Sequence, residues 1–441
     1  MIWWGGEVAE PKLFASAKGF VQPQPRSVSR PLLATMTALA GLGWTGTADA
    51  QDQNPTPAPA PQATPAPARR QSATPALDQP AAEQGLRIEP SLTALYDDNV
   101  YRVDSHKQDP IADVILTPAI EVRYDHDIGV RRVRLRALVG YDQFLKESQR
   151  SKPRFTVEGS GRLLVAGRCA VEPLASFREE RADYGDINSA TENLQRFSVL
   201  SVAADCERPA GLYPVAAWRR DTTRNGNGFE YADQTSNLYR GGVGYARPSL
   251  GKFALYYEHV DSDRPQLALT NRSDAVGLGF ERSVSPLTAI KADLRWMHVT
   301  STSAAVGTYD GPGWSVQLST TAIPRIKLTA ATDRNVVNDS LVATGFVIRT
   351  SYRLSAEVGL SELASAGAFA EFANRDLRQD PALRAFSYTH DNTNQYGLFA
   401  RRKIGRRLAL ELAASHVDRT TNSDVSNYKA NRVSLAATME F

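Results

Sequence analysis

The sequence predicts an all-β protein, a transmembrane barrel of the outer-membrane type closed from about 18 antiparallel strands (a range of 16–18). Three observations predict it. From Leu86 to Phe441, segments of about 10–15 residues alternate apolar and polar side chains, and no 3.6-residue period recurs. The connections between these segments alternate between tight and long. The last segment keeps its alternation up to a terminal aromatic residue. Composition agrees by exclusion. The 441 residues carry 51 Lys plus Arg against 48 Asp plus Glu, a net charge of +3, which is too even for a nucleic-acid binder. No apolar run reaches the roughly 18 residues of a membrane helix, and two cysteines cannot staple a disulfide-dense scaffold.

The N-terminus predicts export. Residues 31–44 (PLLATMTALAGLGW) form a short apolar run after Arg26 and Arg30, and Ala48-Asp49-Ala50 follows as a small-x-small cleavage site. Residues 1–50 therefore read as a secretory leader with a long basic start, and the apolar run is too short to serve as an anchor. Residues 51–85 hold eight prolines and almost no large apolar side chains. Proline fixes φ and removes donors, so this stretch is expected to be an extended periplasmic tether.

Residues 86–441 are expected to form the barrel. The strands fall at about 86–96, 112–125, 130–145, 153–166, 169–182, 193–207, 212–224, 234–246, 250–261, 271–283, 286–300, 312–322, 325–336, 341–354, 364–377, 392–403, 406–418 and 428–441. At roughly 20 residues per strand with its connection, the spacing suits tilted membrane strands. Turns after the even strands are tight, as at 126–129, 167–168, 247–248, 283–285 and 404–405. Loops after the odd strands are longer and more polar, as at 97–111, 183–192, 225–233, 262–270, 301–311, 378–391 and 419–427. Short periplasmic turns and long outside loops are the barrel pattern, and an even strand count puts both barrel ends on the periplasmic side.

Side-chain parity follows strand by strand. In the final strand Val433, Leu435, Ala437, Met439 and Phe441 point one way, and Arg432, Ser434, Ala436, Thr438 and Glu440 the other. A terminal Phe441 resembles the signal read by the barrel assembly machinery, an expected partner. Leu408, Leu410 and Leu412 alternate with Ala409, Glu411 and Ala413; Ile290, Ala292, Leu294 and Trp296 alternate with Lys291, Asp293 and Arg295. Tyr96, Tyr124, Tyr141, Tyr257, Trp296 and Tyr352 fall near strand ends, where aromatic side chains meet the outer-membrane lipid interface.

Such a barrel is too wide for side chains alone to fill, so an aqueous lumen is expected. Parity in the third strand sends Val133, Leu135, Ala137 and Val139 to lipid and Arg132, Arg134 and Arg136 inward. It places Glu121, Arg123 and Asp125 inward on the second strand and Glu158 and Arg162 inward on the fourth. Five arginines against three carboxylates read either as a self-cancelling cross-strand network or as an anion-attracting track. Cys169 opens the fifth strand and Cys206 closes the sixth, two ends that antiparallel pairing brings together at the periplasmic rim, so a disulfide is expected there. The six histidines, His106, His126, His259, His298, His390 and His416, make no unit with a nucleophilic Ser or a paired carboxylate. No metal spacing or phosphate loop occurs. The chain therefore reads as a non-enzyme without a cofactor or a nucleic-acid partner.

At 95–102 the sequence is LYDDNVYR, and at 113–122 it is DVILTPAIEV. These stretches resemble the opening of the β-barrel porin 2 family, which includes outer-membrane proteins found with exopolysaccharide secretion. The likeness extends over the barrel in layout and over these two stretches in residues. It implies a conduit for an extracellular polysaccharide, working with periplasmic polysaccharide-export proteins, with Tyr96, Asp97, Asp98, Asn99, Tyr101 and Arg102 as a loop-1 motif. Read as residues, Asp97, Asp98 and Asn99 either bind a cation, cap a loop folded into the lumen, or make a plain Asx-turn. The alternative function is a general diffusion porin for small solutes.

Overall fold

Inside a membrane every backbone N–H and C=O must find its partner within the protein, and amphipathic strands achieve that only by closing into a barrel. The computed structural model describes residues 85–441 apart from 129–130, 166–168, 182–192, 207, 227, 339–343, 383–387 and 424–426. Eighteen strands run in order: β1 Gly85–Asp97, β2 Asp113–Ile128, β3 Arg131–Phe144, β4 Lys152–Val165, β5 Cys169–Arg181, β6 Leu194–Asp205, β7 Gly211–Arg224, β8 Gln234–Arg247, β9 Gly251–Arg264, β10 Leu269–Ser285, β11 Thr288–Ser301, β12 Tyr309–Thr320, β13 Ile326–Val337, β14 Thr344–Ser361, β15 Ala364–Gln379, β16 His390–Ile404, β17 Leu408–Thr421 and β18 Tyr428–Met439. Each pairs antiparallel with its sequence neighbours, and β1 pairs with both β2 and β18, which closes the sheet. The leader and the tether expected before Gly85 lie outside the described residues.

The outward face is apolar, as a wall against hydrocarbon must be. Leu92, Leu135, Val139, Leu255, Val276, Leu294, Leu354, Leu398 and Leu412 are among the exposed large hydrophobic residues. Tyr96, Tyr141, Tyr257, Trp296, Tyr352 and, at the other end, Tyr124 stand exposed among them, in the positions of interfacial belts. A closed barrel with this face is a protein of the bacterial outer membrane.

Connection lengths are asymmetric. β10–β11 and β14–β15 turn at 286–287 and 362–363, and Gly405 takes φ +67° in the turn into β17, a conformation that favours glycine. Loops at the opposite end run over 98–112, 225–233 and 380–389. Cys169 and Cys206 are joined by a disulfide across the tight-turn end of β5 and β6.

Strand ends fall within three residues of the reading of the sequence except at the end of β14. β14 runs on to Ser361, well past the expected Leu354. Ser355, Ala356 and Gly359 are too small to advertise the alternation, which Glu357 on the inner face and Val358 and Leu360 on the outer face continue. β18 ends at Met439, two residues short of the expected terminus. Phe441 nevertheless rejoins the seam, donating its N–H to the Ile88 carbonyl at 3.1 Å and accepting the Ile88 N–H at 3.3 Å.

Candidate functional site: the lumen and its outer constriction

Side chains pack into the long-loop end of the lumen. Arg264, Tyr388, Phe346, Leu238, Gln195, Val100, Val299, Val347, Val417, Asn99 and Asn193 are the largest fully buried side chains, and every one lies in a long loop or near a strand end that meets one. Three inward-folded segments account for much of this packing.

Loop 1 (98–112) is the first. Its motif residues form a buried staple. Asp97, at the tip of β1, accepts Arg102 Nη1 at 2.8 Å, Arg432 Nε of β18 at 3.1 Å and the Asn99 N–H at 3.0 Å. Asn99 Nδ2 donates to the Val103 carbonyl at 2.7 Å and the Lys429 carbonyl at 2.9 Å, while its Oδ1 accepts the Val103 N–H. Arg102 holds φ +57°, a left-handed backbone unusual for a side-chain-bearing residue. Its guanidinium bonds to Asp97 and to the Asn99 carbonyl. Val100 then packs with Leu95, Ile115 and Phe144 of the inner wall. Tyr101 donates to Glu147, and Arg150 stacks on the Tyr101 ring at 4.6 Å. Asp98 points outward and ties β1 to Asn431, and Tyr96 faces the membrane. The motif caps an inward-folded loop.

The second is the β13–β14 corner. β12 and β13 pair only from Trp314↔Arg334 downward; above that row the wall splits, and the tops of β13 and β14 turn into the lumen. Phe346 and Ile348, on the face that points to lipid lower down, there pack against Ala275, Met297 and Val299 of the inner wall of β10 and β11. Asn271 of β10 donates to Asn338 Oδ1 at 3.1 Å and to the Gly345 carbonyl, although β11, β12 and β13 intervene in the sheet. Gly345 lies against Val306, where a Cβ would overlap the valine methyls. The sequence carried one sign of this split. Pro312, between Gly311 and Gly313, sits in the outer part of β12, and proline belongs on a strand edge.

The third is formed by the described residues of the β15–β16 connection, 380–382 and 388–389. Tyr388, fully buried, accepts Arg419 Nη2 at 2.7 Å, and Arg419 and Arg375 share Asp391. Across the mouth, Ser303 Oγ donates to Asp380 at 2.6 Å, linking this loop to the β11–β12 loop.

Below the constriction the inner wall is a charge lattice. Arg136 holds Glu121 through two bonds of 2.6 and 3.1 Å, and Arg123 shares Glu121 and reaches Glu89 at 3.3 Å. Arg134 pairs with Asp125 at 3.2 Å, Arg132 with Asp127 at 2.7 Å, and Arg162 with Glu172 at 2.6 Å. Glu158 stands opposite Arg136 in the β3–β4 register. The inward arginines and acids of the sequence reading thus meet on one wall, but the structure adds Glu89, Asp127 and Glu172 as partners. The expected arginine excess is cancelled by carboxylates from strand ends and from β1 and β5. What a solute meets is nonetheless unequal. Arg132, Arg134 and Arg136 are 47, 52 and 47% exposed, whereas Glu121 and Asp125 are 11 and 20%. Guanidinium groups lie over their carboxylates. The same layering recurs on β14–β15, where Arg353 at 53% covers Glu371 at 15%.

Among the described residues no cluster of three or more His, Cys, Asp or Glu could hold a metal ion. His259, His298 and His390 pair with Asp274, Asp310 and Asp376 on the outer rim.

Fold and lining together define a closed, 18-stranded transmembrane β-barrel. No family model matches the chain, and no curated protein matches it. Among solved structures it is similar to the outer membrane protein OpdK of Pseudomonas aeruginosa, with 11% identity over 81% of this chain and 99% of that one at TM-score 0.44. It is similar to a BenF-like porin of Pseudomonas fluorescens Pf-5, with 10% identity, 82% and 99% coverage and TM-score 0.45. OccAB3 of Acinetobacter baumannii gives 11% identity, 81% and 99% coverage and TM-score 0.44.

Proposed function

We propose that the barrel is a general diffusion porin for small hydrophilic solutes. The observation that carries this reading is the packed outer half of the lumen. Loop 1, the β13–β14 corner and Tyr388 each bury side chains inside the wall, which narrows the lumen and favours small solutes over a hydrated polymer chain. The lower lumen supports the same reading, because paired charges keep it water-filled and an exposed guanidinium surface draws small anions. The loop-1 motif whose resemblance implied polysaccharide export is occupied in folding that loop, so it lends the export reading no separate support.

Liposome swelling with sugars of graded size tests the proposal. Mono- and disaccharides should enter at rates that fall with size, and long oligosaccharides should be excluded. Entry of long oligosaccharides at undiminished rates would instead favour the polymer conduit.

A further inference from the structure

The crease where the β13–β14 corner turns inward leaves a feature on the outside of the wall. Just below it lies a groove of about 350 Å3, floored by Ala330, Thr332 and Ala370 and flanked by Leu318, Leu354 and Phe372. Neighbouring wall residues at this depth are large, and the small side chains of β13 and β15 make the hollow. At its upper end stands the Trp314↔Arg334 pair, the last rung before the split. Trp314 Nε1 donates to Thr332 Oγ1 at 3.1 Å, fixing the indole over the groove. Arg334 lies 5.7 Å from the Trp314 ring and donates Nη1 to Thr350 Oγ1 at 2.9 Å.

Arg334 differs in its partners from the arginines of the inner-wall lattice. The arginines of the inner-wall lattice meet carboxylates, but Arg334 faces the membrane side, and among the described residues it has a hydroxyl and an aromatic ring and no acid. Its level is also defined. Arg334, Thr350, Asn374 and Asn392 make one polar row across β13–β16, and Tyr352 and Phe372 occupy the row beneath. That is the height at which headgroups meet an aromatic belt. A guanidinium makes two-pronged bonds to phosphate, and the groove below it is apolar along its length.

We propose that this crease is a binding site for one phosphate-bearing membrane lipid, with its phosphate on Arg334 and an acyl chain in the groove over Ala330 and Ala370. The bound chain covers the outer face of the wall just under the split between β12 and β13, where the ladder has no further rungs. The site stands independently of the solute that crosses the lumen.

Native mass spectrometry of the full barrel in non-ionic detergent tests this, with phosphatidylglycerol and phosphatidylcholine as separate probes and heat-modifiability as the check of folding. Wild type should retain one phosphatidylglycerol, and Arg334→Gln should lower its occupancy at least fivefold. Ala330→Leu, which fills the groove without touching the charge, should lower it similarly. Phosphatidylcholine, whose phosphate is offset by its choline, should be held several-fold more weakly by wild type. Equal retention by wild type and a folded Arg334→Gln variant would overturn the site, as would equal retention of the two lipids. A stable oligomer that sheds lipid and dissociates on Ala330→Leu would also overturn it, by assigning the groove to a second copy of the chain.

Discussion

Removing the Asp97 carboxylate should release loop 1. Asp97 is 1% exposed and takes bonds from two guanidinium groups and one backbone N–H. Asp97→Ala leaves Arg102 and Arg432 buried without that counter-charge, a loss of about 3–5 kcal/mol for a buried pair broken from one side. The unmet Asn99 N–H adds about 1 kcal/mol. Because these partners sit in or beside the loop, the loss should fall on local opening of 98–104 and not on the barrel as a whole. A change of about 4–6 kcal/mol is roughly three to four orders of magnitude in the opening equilibrium. Hydrogen exchange on the refolded barrel should therefore show the Asn99 and Val103 amides deprotected by about three orders of magnitude or more. Asp97→Asn, which keeps one acceptor for Asn99, should fall between. Single-channel conductance should rise in the alanine variant as Val100 leaves Leu95, Ile115 and Phe144. Protection within threefold of wild type for Asp97→Ala would refute the staple.

Three further outcomes follow from the same contacts. Replacing Cys169 and Cys206 by Ser opens a link spanning 37 residues of sequence, and the chain-entropy relation gives about 4 kcal/mol lower stability, measurable by urea unfolding in lipid vesicles against wild type. Converting Arg132, Arg134 and Arg136 together to Gln uncovers Glu121, Asp125 and Asp127, so the reversal potential in a salt gradient should move toward cation preference; an unchanged potential in a folded barrel would mean the lower wall does not set selectivity. The Asp380 carboxyl is held below its ordinary value of 3.8 by the Ser303 hydroxyl and the Ala382 N–H. A depressed value means that the clasp is present above the usual carboxylate range and is lost as pH falls beneath it. Open-channel noise should therefore stay flat at neutral pH and rise only in strong acid, and Asp380→Asn should be noisy at neutral pH.

The fold was legible in the sequence because a membrane strand needs one apolar face, and a period of two survives even where individual residues are small. Trp296, Leu294 and Leu412 face lipid, and Arg295 and Glu411 face inward, as alternation alone required. The 18 strands of the wall follow from the same signal. β14 escaped in part, since Ala356 and Gly359 blur the pattern. The lumen was less legible for a different reason. Which carboxylate an arginine meets depends on register and on strands far away in sequence, so Glu89 and Glu172 could not be assigned to Arg123 and Arg162 from parity alone. The inward turn of β13–β14 rests on Phe346 and Ile348 meeting Met297 and Val299, a contact that no local pattern encodes; only Pro312 hinted at a strand edge.

In the proposed porin the narrow part lies at the outer end, built from inward-folded segments above a charge-lined lower lumen. Polymer exclusion in planar bilayers tests it most directly, with neutral polyethylene glycols of graded size added to one side at a time. Polymers on the periplasmic side should enter the wide lumen and depress conductance up to a larger size than polymers on the outer side, which should be excluded early. Equal cut-offs from both sides, or admission of the larger polymers from the outside, would rule out an outer constriction.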